Sequence, residues 1–142
     1  MRYAVELTPD EEGEAVLVAV PDLPMVHTFG DTEAEARIMA VDAIETVLDY
    51  FIENWQPIPM PSAIGNRASV ALPIRTAGKI AIYSALLDGD VSRAGLAMRL
   101  GWPDRRLIGL LDLFADSSMD DIEAALRALG YEASIDVRPV AA

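Results

Sequence analysis

Polar and apolar positions alternate from the start of the chain, placing Tyr3, Val5 and Leu7 on one face of a strand. The run Pro9-Asp10-Glu11-Glu12-Gly13 then supplies turn chemistry, and Glu14 to Val20 reads as a second strand closing a hairpin. Pro21-Asp22-Leu23-Pro24 interrupts the ladder because proline has no backbone N–H to donate, and Met25 to Phe29 follows as a short third strand. Thr32 with Glu35 forms a capping box, so a long helix is expected next. Ala34, Ile38, Val41, Ile44, Leu48, Phe51 and Trp55 recur at three- and four-residue steps and predict the stripe that lies on the sheet. Pro57, Pro59 and Pro61 end this helix, and Ala68 to Leu72 reads as a last strand, completing a β-β-β-α-β unit over residues 1–72.

From residue 73 to 142 the pattern turns helical, with Ile74 to Leu87, Ser92 to Leu100, Asp104 to Leu113 and Met119 to Leu129 as four expected helices. Asp88-Gly89-Asp90 separates the first two, Ser92 and Ser118 are capping residues, and Gly130 stops the fourth. Tyr131, Ala133, Ile135 and Val137 alternate again and predict a terminal strand open to pairing with another copy of the chain. The fold class expected is therefore α+β, a sheet-and-helix unit followed by an all-α unit with a terminal strand.

Composition narrows the function. At 52% hydrophobic and 24% charged residues the chain has enough apolar material for a core. No apolar run approaches the roughly 20 residues that span a bilayer, and the start is strand-like rather than a signal sequence, so a cytoplasmic location without membrane association is expected. There is no cysteine and one histidine, His27, which removes thiolate chemistry and most imidazole chemistry. The net charge of -12 is unevenly spread: residues 1–66 hold 13 Asp and Glu against Arg2 and Arg37, whereas residues 67–142 hold 10 against 9 Lys and Arg. A front half this acidic suits a basic partner surface, while the back half is almost neutral.

Within that back half, Ser92 to Leu110 has the spacing of a helix-turn-helix. Ala97 is the small residue where two steeply crossing helices touch, and Gly101, four positions on, permits the turn. Leu96, Leu100, Trp102, Leu107 and Leu110 are the expected core of this unit. The recognition helix would run from about Pro103 to Asp112. With Arg93 from the preceding helix, Asp104, Arg105, Arg106, Ile108 and Gly109 are the candidate DNA-facing residues. Residues 92–114 carry four arginines against Asp104 and Asp112, a modest excess that favours a dimer on a two-fold operator over a monomer.

Three stretches, Val20-Pro21-Asp22-Leu23-Pro24, Gly30-Asp31-Thr32-Glu33-Ala34-Glu35-Ala36 and Pro57-Ile58-Pro59-Met60-Pro61-Ser62, resemble the HicB antitoxin family in order and spacing. Leu111-Asp112-Leu113 and Glu123 to Gly130 resemble the version of that family with a C-terminal helix-turn-helix. The resemblance implies a degenerate RNase H-like first domain (1–72) that binds a HicA-like mRNA-interferase toxin and covers its catalytic histidine. It also implies a second domain (73–142) that dimerises, or forms higher homo-oligomers, and binds operator DNA. Phe114-Ala115-Asp116 stands where relatives often carry basic residues, and Asp104 opens the recognition helix, departures that imply an altered operator or a domain kept for dimerisation.

An RNase H-like fold invites a search for a Mg²⁺-binding carboxylate cluster among Glu6, Asp22, Asp42 and Glu45, but nothing in their spacing makes them converge. No metal, cofactor or catalytic residue is expected, and the Asp10, Glu11, Glu12 and Glu14 run reads as a solvated turn. His27 reads as structural, and Trp55 and Trp102 as core residues. Pro21, Asp22, Leu23 and Pro24 form the candidate toxin-binding loop, since a rigid apolar loop loses little entropy on binding. The competing function is a stand-alone helix-turn-helix regulator whose first domain senses another ligand.

Overall fold

The computed structural model describes residues 1–140. Its α+β architecture runs β1 (Arg2–Ala4), β2 (Glu6–Pro9), β3 (Val16–Ala19), β4 (His27–Gly30), α1 (Glu33–Glu53), β5 (Ser69–Ala71), then α2 (Ile74–Leu87), α3 (Arg93–Leu100), α4 (Asp104–Leu110) and α5 (Met119–Ala128). The single strand expected from Tyr3 to Leu7 is two. β1 pairs antiparallel with β5, and after Val5 the chain changes partner so that β2 pairs with β3 and β3 with β4. Val5 remains buried and donates its N–H to Ala68 O at 2.9 Å, so the switch leaves no orphan amide there.

Thr32 caps α1 as expected, its hydroxyl accepting from Glu35 N at 3.1 Å, while Glu35 reaches back to Asp31 N at 3.2 Å. The buried stripe agrees with the expected one at Ile44 and Leu48, with Val41 and Phe51 partly buried beside it, and departs at its two ends. Ala36, Ala40, Ile44, Leu48 and Ile52 face the sheet, whereas Ala34 and Ile38 are exposed. The reason lies in close approach: a Cβ on Gly30 would come within 2.4 Å of Ala36 N, so α1 enters against β4 on glycine and alanine rather than on bulky side chains. Trp55 also departs from expectation. It lies beyond the end of α1 at φ +55°, is 47% exposed, and leans its ring on Tyr83 at 5.1 Å.

Two apolar clusters form. Tyr3, Val5, Val18, Leu23 and Val26 join the α1 stripe in the first, and Leu96, Leu107, Leu110, Ile122 and Leu126 form much of the second. Helix α2 starts just after the boundary drawn at residue 72 and serves both clusters, Ile80 and Tyr83 packing in the first and Ile82 and Leu86 in the second. Thr76 donates to Glu45 Oε2 at 2.7 Å and Tyr83 donates to Gln56 O at 2.5 Å, fastening α2 to α1 and the segment behind it.

The expected terminal strand does not form. Residues 131–140 are irregular and exposed, because a strand requires a neighbour's N–H and C=O groups and the tail finds none within one chain. Among the described residues no helix is long and apolar enough to cross a membrane.

Candidate functional site

Helices α3 and α4 form a compact two-helix unit. Ser92 caps α3 by accepting from Gly95 N at 2.9 Å, and Gly101 ends it at φ +67°, a left-handed conformation that glycine adopts without strain. Leu96, Ala97, Leu107 and Leu110 are buried, with Leu100 and Trp102 partly so. Helix α4 ends at Leu110, earlier than the expected Leu113, because Leu113 turns away into the first cluster and donates its N–H to Asp49 Oδ1 at 3.0 Å.

The expected DNA-facing residues fall into distinct settings. Arg93, Asp104, Arg105 and Ile108 are exposed, and Gly109 is half-buried. Arg106 is engaged: it meets Asp121 through two bonds of 3.1 and 2.7 Å and stacks on Trp102 with 4.1 Å from guanidinium to ring centroid. The same contact holds the Asp121 carboxyl below its usual range and raises Arg106 further. Arg99 likewise caps α5, donating to Ala128 O at 3.0 Å. Among the described residues, Arg93 and Arg105 carry no ion pair. Arg93 and Ile108 also line a groove shared with Asp49, Glu53, Trp55 and Asp112, and Arg105 lies outside it.

The back of α4 is fixed by a residue the sequence pattern did not single out. Lys79, 1% exposed, donates to the carbonyls of Gly109 (3.1 Å), Asp112 (2.7 Å) and Ala115 (2.7 Å). A lysine in phase with Ile82 and Leu86 on an apolar helix face was the available signal, since a buried ammonium must find acceptors. Burial pushes its pKa below the ordinary lysine value.

In the front half, the Pro21–Pro24 loop divides. Leu23 is fully buried and presents nothing to a partner, while Pro21 and Pro24 stay exposed. Asp22 is committed to Ser62, accepting from its N at 2.8 Å and its hydroxyl at 2.9 Å, bonds that lower the Asp22 pKa. These bonds and Tyr3 OH, which donates to Pro59 O at 2.7 Å, bind the proline-rich segment after α1 to the sheet. Glu6 points from the sheet, Asp22 to Ser62 and Glu45 to Thr76, and among the described residues no three acidic or histidine side chains converge as a metal site. His27, expected to be structural, is exposed because its position in β4 falls on the outer face of the sheet.

The chain thus joins an acidic sheet-and-helix segment to a helical one through α2, which packs in both apolar clusters. The family model described as "HicB_like antitoxin of bacterial toxin-antitoxin system" matches residues 2–81. Antitoxin HicB of Escherichia coli K12 is 35% identical over 136 residues, covering 95% of this chain and 98% of that protein. Antitoxin HicB 2 of Photorhabdus laumondii is 38% identical over 130 residues, covering 92% and 91%. The crystal structure of the N-terminal domain of Burkholderia pseudomallei antitoxin HicB aligns with a TM-score of 0.44 and 21% identity over 52% of this chain and 98% of that one. The chain belongs to the HicB-like antitoxin family.

Proposed function

We propose that this chain is a non-enzymatic cytoplasmic antitoxin: residues 1–72, a degenerate RNase H-like domain, bind and mask a HicA-like mRNA-interferase toxin. Residues 73–142 bind operator DNA as a dimeric helix-turn-helix. What carries this is the segregation of charge. Residues 3–36 contain nine Asp and Glu and no Lys or Arg, whereas the exposed side of α3 and α4 offers Arg93 and Arg105. A toxin that grips RNA must offer cations, and an acidic surface competes for them as phosphate does. Two free arginines per chain supply few phosphate contacts, so a second copy is needed for useful affinity. The tail is suited to recruit it: Tyr131, Ile135, Val137 and Val140 are 53%, 63%, 84% and 94% exposed, and the backbone of residues 132–140, outside any strand pairing among the described residues, accommodates an identical strand.

A paired experiment tests both halves. In a gel-shift titration with DNA from upstream of the gene, the Arg93→Ala/Arg105→Ala variant binds more weakly. The slope of log affinity against log salt becomes shallower by about one unit for each arginine–phosphate interaction that the substitutions remove. The same variant still restores growth to cells expressing the toxin. Undiminished DNA binding, or loss of growth rescue by a folded variant, refutes the division of labour.

A further inference from the structure

The register of β2, β3 and β4 sorts their side chains cleanly. Leu7, Val18 and Thr28 form one row turned toward α1, while Thr8, Leu17 and Phe29 form a row on the opposite face, with Glu6, Ala19 and His27 in the same face's other row. Leu17 and Phe29 are direct cross-strand partners and remain 43% and 58% exposed, and Met25, leading into β4, is 52% exposed. Alternation on a half-buried sheet normally puts polar residues outward. A leucine facing a phenylalanine there is an apolar centre that the described residues leave about half open, a feature of a partner's landing site.

The surroundings say what lands. Pro9, Val16 and Gly30 share one register row, so the segments beyond them leave the same end of the sheet. Those segments carry Asp10, Glu11, Glu12 and Glu14 on one side and Asp31, Glu33 and Glu35 on the other. Glu6 adds a charge in the far row of the face. Arg37, the nearest cation in sequence, pairs with Glu33 at 3.1 Å and donates to Ser69 O at 2.9 Å, which leaves Asp31 and Glu35 as the uncompensated charges on that side. A second copy laid face to face would press acid against acid, and a nucleic acid would meet the same repulsion from its phosphates. A cationic protein with an apolar side chain among its Lys and Arg is complementary in both respects.

We propose that the outer face of β2–β3–β4, centred on the Leu17–Phe29 pair and rimmed by the acids of residues 10–14 and 31–35, is the surface on which the basic toxin docks. This rests on the antitoxin reading above and moves the contact from the Pro21–Pro24 loop, whose Leu23 and Asp22 are spent inside the fold, to the sheet beside it. Rim charges set the salt dependence and the encounter rate, and the apolar pair sets how long the complex lasts.

The test is isothermal titration of the full-length chain with a catalytically inactive HicA-like toxin. Leu17→Lys/Phe29→Lys places two cations against the toxin's own and is expected to weaken binding at least about 100-fold, with thermal unfolding measured beside it because the two lysines are also cross-strand partners. Leu17→Ala/Phe29→Ala, which adds no charge and preserves strand length, is expected to weaken binding at least about 10-fold and serves if the lysine variant unfolds. Val137→Lys on the tail leaves toxin affinity unchanged. Wild-type affinity for toxin with equal affinity of both double variants overturns the docking face while leaving the antitoxin reading intact. No binding by the wild-type chain overturns both. A lower mass of the free chain in sedimentation caused by the Leu17 and Phe29 substitutions makes the occupant a second copy and also overturns the proposal.

Discussion

Lys79→Met isolates the contribution of one buried ammonium. The methionine keeps the stem that packs in α2 but removes three bonds to the carbonyls of Gly109, Asp112 and Ala115. Hydrogen bonds to a charged group contribute about 1.5–3 kcal/mol each, so the gross loss is substantial. Against it stands the desolvation of the ammonium, several kcal/mol, which the substitution recovers. The acceptors decide the balance because they remain behind. Gly109 O keeps Ser117 Oγ at 3.3 Å and Asp112 O keeps Ala115 N at 3.2 Å, but Ala115 O has no other donor among the described residues. One orphaned carbonyl and two weakened ones give a net destabilisation of about 2–4 kcal/mol. The opening should be local as well as global, since these carbonyls belong to the turn whose Leu113 N–H is held by Asp49. Urea unfolding measures the first effect and amide exchange at Leu113 the second. A variant within about 0.5 kcal/mol of wild type, with exchange at Leu113 unchanged, would show that desolvation cancels the bonds and would refute the reasoning.

Gly30→Ala is expected to destabilise by about 3 kcal/mol or more, because the added methyl meets the backbone of Ala36 at 2.4 Å and a helix backbone has little room to yield; thermal unfolding reads this directly. Alkaline conditions should weaken the fold through Tyr3, whose phenol is pushed from 10.0 up to about 12, chiefly by burial and then by the Asp22 charge. Between those values the folded state holds a proton that the unfolded chain has released. Stability on the order of 2–3 kcal/mol, fully present below pH about 10, is therefore lost as pH rises through about 12. Tyr83, raised by burial, acts in the same direction, so Tyr3→Phe should flatten the decline in denaturation midpoint without abolishing it, and an unchanged slope would contradict the assignment.

The local signals were legible from residue order because they act over three or four positions. Thr32 and Glu35, Ser92 and Ser118 cap the helices they were expected to cap, and the bounds of α2 agree with its periodicity from Ile74 to Leu87. The acidic front half required only counting. What escaped was whatever depended on a distant neighbour. Alternation cannot reveal that a ladder changes partner at Val5, because both halves keep the same period while one finds β5 from far along the chain.

The start of the α1 stripe was misplaced, though Ile44 and Leu48 were not, because hydrophobicity ranks Ile38 above Ala36, whereas contact with Gly30 rewards the smaller side chain. Arg106 looked available as a cation until Asp121 and Trp102 were folded against it. Leu23 looked like a contact until the turn carried it inward, and the tail, expected as a strand open to a second copy, finds no edge to join among the described residues of one chain. Periodicity, capping and net charge are properties of neighbours along the chain. Packing order, partner choice and the remaining exposed surface belong to neighbours in space, which is why residue order alone does not show that Leu17 and Phe29 lie side by side on an open sheet face.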